Sequence, residues 1–277
     1  MAKTVFISGA TSGIGLVTAQ KLHELGWKVY AGGLQSDDFS VLEYGITPLP
    51  FDISDATDIE GAVKFMTIDL NQLDALVNCA GIQVSSPLEA LPVERLRQQF
   101  EVNVFGHFQI IQGLLPLLRQ SEKGRIVNVS SLMGQVAMPM LGAYSMSKHA
   151  LEAMSDVLRM ELAQFGIHVA VVEPSAIDTP MTSKALHDLE ALRQASSDDI
   201  QIQYEHFFDA MTKTLASQGQ HATPPAKIAN AIIHAITSNR PKARYAIGID
   251  VMGLSTIRKI LPESLFDRIL LRALGIK

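Results

Sequence analysis

The chain contains one cysteine, Cys79, so no intrachain disulfide can form and nothing in it calls for an oxidising compartment. Basic charge is not in excess: 23 Lys and Arg stand against 28 Asp and Glu, and no basic stripe interrupts that balance, which removes the electrostatic footprint of nucleic-acid binding. Long apolar runs are missing as well. The uncharged stretch 126–147 holds Asn128, Ser130, Ser131, Gly134, Gln135 and Pro139. A membrane-spanning helix needs about 20 mainly apolar residues, so this stretch is not a span. The start, "MAKTVFISGA", lacks the charged, apolar and small-residue pattern of a secretory signal, and the expected location is the cytoplasm. The histidines are scattered, without a His-Glu-x-x-His or paired-Cys pattern, which argues against a metal centre. No G-x-S-x-G elbow surrounds Ser130 or Ser131, which argues against serine hydrolysis.

What is present is a 47% hydrophobic chain of 277 residues with a regular rhythm. Short apolar runs at 4–8, 28–32, 46–51, 73–78, 125–130, 168–173 and 244–248 alternate with helical patterns near 14–25, 55–69, 93–119, 143–165 and 224–238. The runs at 73–78 and 168–173 are nearly continuous, as strands covered on both faces require. This predicts an α/β fold, a doubly wound parallel sheet with helices on both faces. No linker or repeat divides it, so a single domain over 1–277 is expected. Two segments break the rhythm. The acidic helical stretch 181–222, with Phe207, Phe208 and Met211, reads either as a lid over a site or as a surface helix pair. The tail 253–277 has apolar residues at helical spacing, and docking on the body or a sister subunit is favoured over a membrane surface.

Two ends of the sheet carry chemistry. "SGATSGIG" (8–15) joins the first strand to the first helix, and Gly9, Gly13 and Gly15 let the backbone turn tightly against a pyrophosphate at a helix N-terminus. Where the second strand ends, Leu34 replaces the usual acid or arginine, and Asp37 and Asp38 follow with no basic residue. A 2′-phosphate would be poorly held there, so NAD(H) is favoured, with NADP(H) as the alternative. Asp52 is placed to reach an adenine amino group, with Ile53 against the ring and Ser54 or Asp55 capping the next helix. "NCAG" (78–81) lets a small-residue loop pass close to a cofactor, while Asn78 can tie strands together. Cys79 reads as a small buried apolar residue. At the other end, Ser131 follows a strand, and Tyr144 and Lys148 share one face of a helix at i and i+4. A cation there lowers a tyrosine pKa toward the working range of an acid/base catalyst.

The ordered set "GATSGIG", "NCAG", "VNVFG", "NVSS", "YSMSK" and "EPSAIDT" resembles the short-chain dehydrogenase/reductase family over essentially the whole chain. More narrowly, "YSMSKHALEAMSDVLRMEL" and "FGIHVAVVEPSAIDTPM" look like its retinol and hydroxysteroid dehydrogenase branch. The resemblance implies a Rossmann-type domain with strand order 3-2-1-4-5-6-7 and a tetrad of Asn103, Ser131, Tyr144 and Lys148. In that tetrad Ser131 would hold the substrate oxygen and Tyr144 would pass the proton. Lys148 would hold ribose hydroxyls, and Asn103 would support a water. The cofactor would also meet Thr11, Ser12, Ile14, Ala80 and Gly81. Past the sixth strand it would meet Pro174, Ser175, where the family commonly has glycine, Ile177 and Thr179. Leu132, Met133 and Met138 then form an apolar wall, joined by Met181 and Phe207. The expected function is hydride transfer between a nicotinamide cofactor and a small hydrophobic alcohol or ketone. The alternatives are a reductase of small carbonyl compounds or a dinucleotide-sensing regulator without turnover. The long helices at 93–119 and 143–165 are the expected surface of a homodimer or homotetramer.

Overall fold

A computed structural model describes residues 2–177 and 179–276, except the side chains at 217–221, 249, 250 and 252. Asp178, inside "EPSAIDT", and Lys277, the last residue of the tail, lie outside the described residues. Seven parallel strands form one sheet: β1 (Thr4–Ser8), β2 (Lys28–Gly33), β3 (Thr47–Pro50), β4 (Ala75–Asn78), β5 (Arg125–Val129), β6 (His168–Pro174) and β7 (Arg244–Ile247). Their order is 3-2-1-4-5-6-7, as the resemblance implies.

Alternation along the strands divides the core. Phe6, Tyr30, Leu76 and Ile126 turn to one face, where they pack under α2 (Ala56–Asp69), α4 (Gly106–Leu118) and α5 (Gly142–Leu162). Val5, Ile7, Val29, Val77 and Val127 turn to the other, under α1 (Gly13–Glu24) and α9 (Pro225–Thr237). Both faces are therefore dry, and that is why the strands read as continuous apolar runs. Each large side chain removed from water in this way contributes about 1.5–3 kcal/mol before entropy is counted. Asp55 caps α2, its carboxylate accepting from the Thr57 and Asp58 amides at 2.8 and 3.0 Å.

The predicted helix 93–119 is not uniform. It runs as α3 (Val93–Phe100), one π-helical turn (Glu101–Phe105) and α4. Gly106 closes that turn against the loop after β3, where a Cβ would stand 2.1 Å from the Ile53 carbonyl oxygen. A widened turn is a frequent device for aiming a side chain at a site, and Asn103 sits in the middle of this one.

After β6 the chain leaves the sheet as α6 (Pro180–Ala195), α7 (Asp198–Gln203) and α8 (Glu205–His221), then returns beside its point of departure, the Thr223 amide donating to the Ala176 carbonyl at 2.9 Å. A third apolar cluster joins this excursion to the tail helices α10 (Ile249–Ile260) and α11 (Glu263–Ala273). Phe208, Met211 and Leu215 pack there with Phe266 and Leu270. The tail thus docks on its own body. Among the described residues no helix is long and apolar enough to cross a membrane.

Candidate active site

Two adjoining clefts open at the carboxyl edge of the sheet. The first holds about 700 Å3 and is floored by the β1–α1 turn, with Gly9, Thr11, Ser12, Gly13, Ile14 and Gly15 on its lining. Gly9 and Gly13 have φ of +67° and +53°. A Cβ on Gly9 would stand 2.7 Å from Ala80 Cα, and one on Gly15 would stand 2.1 Å from the Gly9 carbonyl oxygen. These glycines keep backbone, not side chain, at the floor. Ser12 precedes α1 without a side-chain cap, so the positive end of the helix is turned to the cleft. The cradle fits the diphosphate of a dinucleotide.

Leu34, Asp52, Ile53, Ala80 and Gly81 line the same cleft. Asp52 is not the cap of α2; its carboxylate accepts from the Ser54 amide and hydroxyl at 2.8 and 2.7 Å. Asp37 folds back to the end of β2 and accepts from the Thr11 hydroxyl at 2.7 Å and the Leu34 amide at 2.9 Å. An acid thus stands beside the strand end although Leu34 occupies the position itself. That return of the loop was not legible in the sequence. Asn78 lines neither cleft. It is fully buried and donates to Asn128 Oδ1 at 2.8 Å, so among the expected cofactor contacts it acts as a strut between β4 and β5.

The second cleft, about 860 Å3, holds Ser131, Tyr144 and Lys148 with Pro174, Ser175, Ile177 and Thr179. Its wall is apolar: Leu132, Met133, Met138 and Met181 as expected, joined by Leu141, Met211, Leu215 and Leu254. Phe207 is a correction. It packs against Tyr204 at 5.9 Å and lines neither cleft, because the helix turns Phe208 into the core and Met211 toward the cavity. No carboxylate lines this second cleft among the described residues.

Tyr144 and Lys148 come together as their spacing requires, with the ammonium nitrogen 5.6 Å from the ring centroid. Lys148 Nζ donates to the Val129 carbonyl at 2.9 Å. Burial pushes the Tyr144 phenol up to about 12, and a hydrogen bond from Ser131 draws it back only in part. Burial brings Lys148 down to about 8. The expectation of a depressed tyrosine is therefore not met in the free protein. Desolvation of the phenol outweighs the lowering hydrogen bond from Ser131. Asn103 is fully buried on the π turn. Its side chain accepts from the Ile82 amide at 2.9 Å and donates to the Ile82 carbonyl at 3.0 Å and to Ser147 Oγ at 3.2 Å. Cys79 lines both clefts, but burial pushes its thiol up to about 12, so it is no nucleophile at neutral pH. No group of His, Cys, Asp and Glu suited to a metal occurs among the described residues.

Residues 3–190 match the family model described as short chain dehydrogenase. The chain belongs to the short-chain dehydrogenase family. This oxidoreductase is 37% identical to 3-amino-tetrahydro-pyrrolizinone reductase of Xenorhabdus hominickii, over 96% of this chain and 93% of that one. It is 32% identical to NADPH-dependent 3-dehydrocapnine reductase of Ornithobacterium rhinotracheale, over 95% and 94%. To human 17-beta-hydroxysteroid dehydrogenase type 6 it is 32% identical, over 98% and 88%. Among solved structures, a short chain dehydrogenase/reductase from Burkholderia phymatum in complex with NAD shares the fold with a TM-score of 0.79 at 21% identity, over 93% of each chain.

Proposed function

We propose that this short-chain dehydrogenase reduces the carbonyl group of a hydrophobic ketone or aldehyde, and catalyses the reverse oxidation, with Tyr144 as general acid and base. The observation that carries this reading is the meeting of Ser131, Tyr144 and Lys148 at the mouth of an apolar cleft that adjoins the glycine cradle. A nicotinamide dinucleotide in the cradle would supply or accept the hydride. Ser131 holds the substrate oxygen, and Tyr144 gives it a proton. Lys148 holds ribose hydroxyls and, while charged, favours the phenolate left behind. The high pKa of the free phenol keeps it protonated at neutral pH, the form that gives a proton during reduction. Two of the three relatives named above are reductases.

Substrate class follows from the wall. Flexible methionines and leucines, with no carboxylate among the described residues, suit an apolar body of adaptable shape. The segment 181–222 acts as a lid: α6 contributes Met181 and Thr182, and α8 contributes Met211, Thr214 and Leu215. Polar contacts hold it down from the opposite wall, Arg95 to Asp188 and Tyr204 Oη to Glu89 at 2.7 Å.

The cofactor is NAD(H) on the same reading, because the Asp37 carboxylate at the end of β2 can accept from ribose hydroxyls and repels a 2′-phosphate. Of the cations lining the cleft, Arg95 and Lys184 belong to α3 and α6 on the opposite wall, and Arg95 is engaged by Asp188.

Tyr144→Phe tests the assignment. Turnover of a panel of steroid, retinoid and aliphatic carbonyl compounds should fall by at least about a hundredfold, with NADH binding by fluorescence near normal. Unchanged turnover in that variant would overturn the role of Tyr144. A wild-type protein that binds NADH but reduces nothing on the panel would favour a dinucleotide sensor.

A further inference from the structure

Three consecutive residues at the carboxyl end of β5 meet three residues spaced one turn apart on α5. The Val129 carbonyl accepts from Lys148, and the Ser131 hydroxyl bonds the Tyr144 phenol. The third pair is Ser130 and Glu152. Glu152 is 6% exposed; burial raises its pKa and the nearby Ser130 hydroxyl draws it back only in part, although neither the hydroxyl nor Oε1 has a well-aligned hydrogen bond among the described residues. Gly134 makes this approach possible. A Cβ there would stand 2.6 Å from Ser130 Oγ and 2.9 Å from Glu152 Cγ.

Glu152 belongs to a charge network that reaches both sides of the site. Arg244 on β7 donates to Glu152 Oε2 at 3.0 Å and to both Asp156 oxygens at 3.0 and 2.9 Å, and its Nε lies 3.1 Å from Glu173 Oε1. Glu173 also accepts from Gln135 at 3.2 Å. Gln135 follows the turn that starts at Ser131, and Glu173 immediately precedes Pro174 in the second cleft. Arg159 adds a cation on the outer side, at 3.2 Å from Asp156. Buried, and crowded by Glu152, Glu173 is driven up to about 7.

The groups facing Lys148 differ in what charge they can carry. Cys79 stays a neutral thiol until about 12, and the Tyr144 phenol likewise. His107 on α4 is held neutral by burial down to about 3. Glu152 is the carboxyl group among them; burial raises its pKa, Ser130 and the Arg244 guanidinium draw it back, and it sits one turn from Lys148 on the same buried face of α5.

We propose that Glu152 is a positioning residue for the Tyr144–Lys148 pair: one turn along the same buried face, it supplies the negative charge that favours the protonated form of Lys148. The inference rests on the acid/base reading of Tyr144 and Lys148.

Glu152→Gln keeps the size and removes the charge. The titration of Lys148 is read by NMR of the full chain with 13C-labelled lysine, the resonance identified by its absence in Lys148→Arg. Its midpoint should move down by about 0.5–1 pH unit in Glu152→Gln, and the alkaline limb of kcat/KM for carbonyl reduction should move with it. Glu161→Gln, exposed on the same helix, should move neither. If Glu152→Gln does not fold, Glu152→Met removes the charge with an apolar side chain of similar volume and should give the same direction. A folded variant of either kind whose Lys148 midpoint stays at the wild-type value overturns the proposal. If wild-type protein turns nothing over while the Lys148 midpoint still moves in Glu152→Gln, the acid/base reading fails and only the charge coupling of Glu152 to Lys148 stands.

Discussion

At the scale of single residues, burial decides the chemistry of the site more than proximity does. Tyr144 and Lys148 are neighbours, but the free protein holds the phenol high and the ammonium low because both are taken out of water. On the proposed reading of the cofactor site, one side chain decides between NADH and NADPH. Asp37 is tied to Thr11 and the Leu34 amide, so its carboxylate is fixed at the strand end. Replacing it by Asn removes the charge and keeps both contacts. The ratio of kcat/KM with NADH to that with NADPH should fall by about tenfold, read from initial rates with each cofactor. An unchanged ratio would remove Asp37 from the choice.

At the scale of elements, turns rather than helices or strands limit the structure. Between β1 and α1, Gly9 combines a φ of +67° with a Cβ position 2.7 Å from Ala80 Cα. Both neighbours are backbone, so nothing yields cheaply. Gly9→Ala should cost about 1–3 kcal/mol in urea denaturation and abolish NADH binding by fluorescence titration. A variant that keeps wild-type binding would mean that the cradle can be rebuilt around a methyl group. The π turn at Glu101–Phe105 is the other such place. It aims Asn103 inward to bridge the β4 loop and α5, a role that an unbroken α-helix would present at a different angle.

At the scale of the whole molecule, acid sensitivity and assembly follow from what is inside and what is left outside. His107 is fully buried, and its folded pKa of about 3 lies below its ordinary 6.5. The neutral ring therefore contributes stability that is complete above pH 6.5 and lost as pH falls toward 3. On linkage alone the loss is on the order of a few kcal/mol. The urea midpoint should decline from pH 7 to pH 4, and the decline should be shallower in His107→Leu. An equally steep decline in that variant would assign the acid sensitivity elsewhere. Outside, Phe105 at the end of the π turn, Phe108 on α4, and Val157 and Met160 on α5 are 46%, 42%, 48% and 62% exposed. We propose that a second copy of the chain covers this face, forming a homodimer or homotetramer. Light scattering should show an oligomer that Phe108→Glu or Met160→Glu dissociates. A monomeric wild-type protein would refute the assembly.

Periodicity and spacing were enough for the strand runs, the doubly wound sheet and the pairing of Tyr144 with Lys148. Each depends on local geometry that neighbouring residues dictate: side chains alternate along a strand, and residues four apart share a helix face. The resemblance of the motif set supplied the strand order, because residue type, order and spacing are all recorded in the chain. Contacts across the fold were not legible there. The turning of Asp37 back to Thr11, the choice of Met211 over Phe207 at the cavity and the convergence of Glu152, Asp156 and Glu173 on Arg244 join residues far apart in the chain. So too with the acid/base groups: their identity is written in the sequence, but their ionisation depends on how much water the packed structure leaves around them.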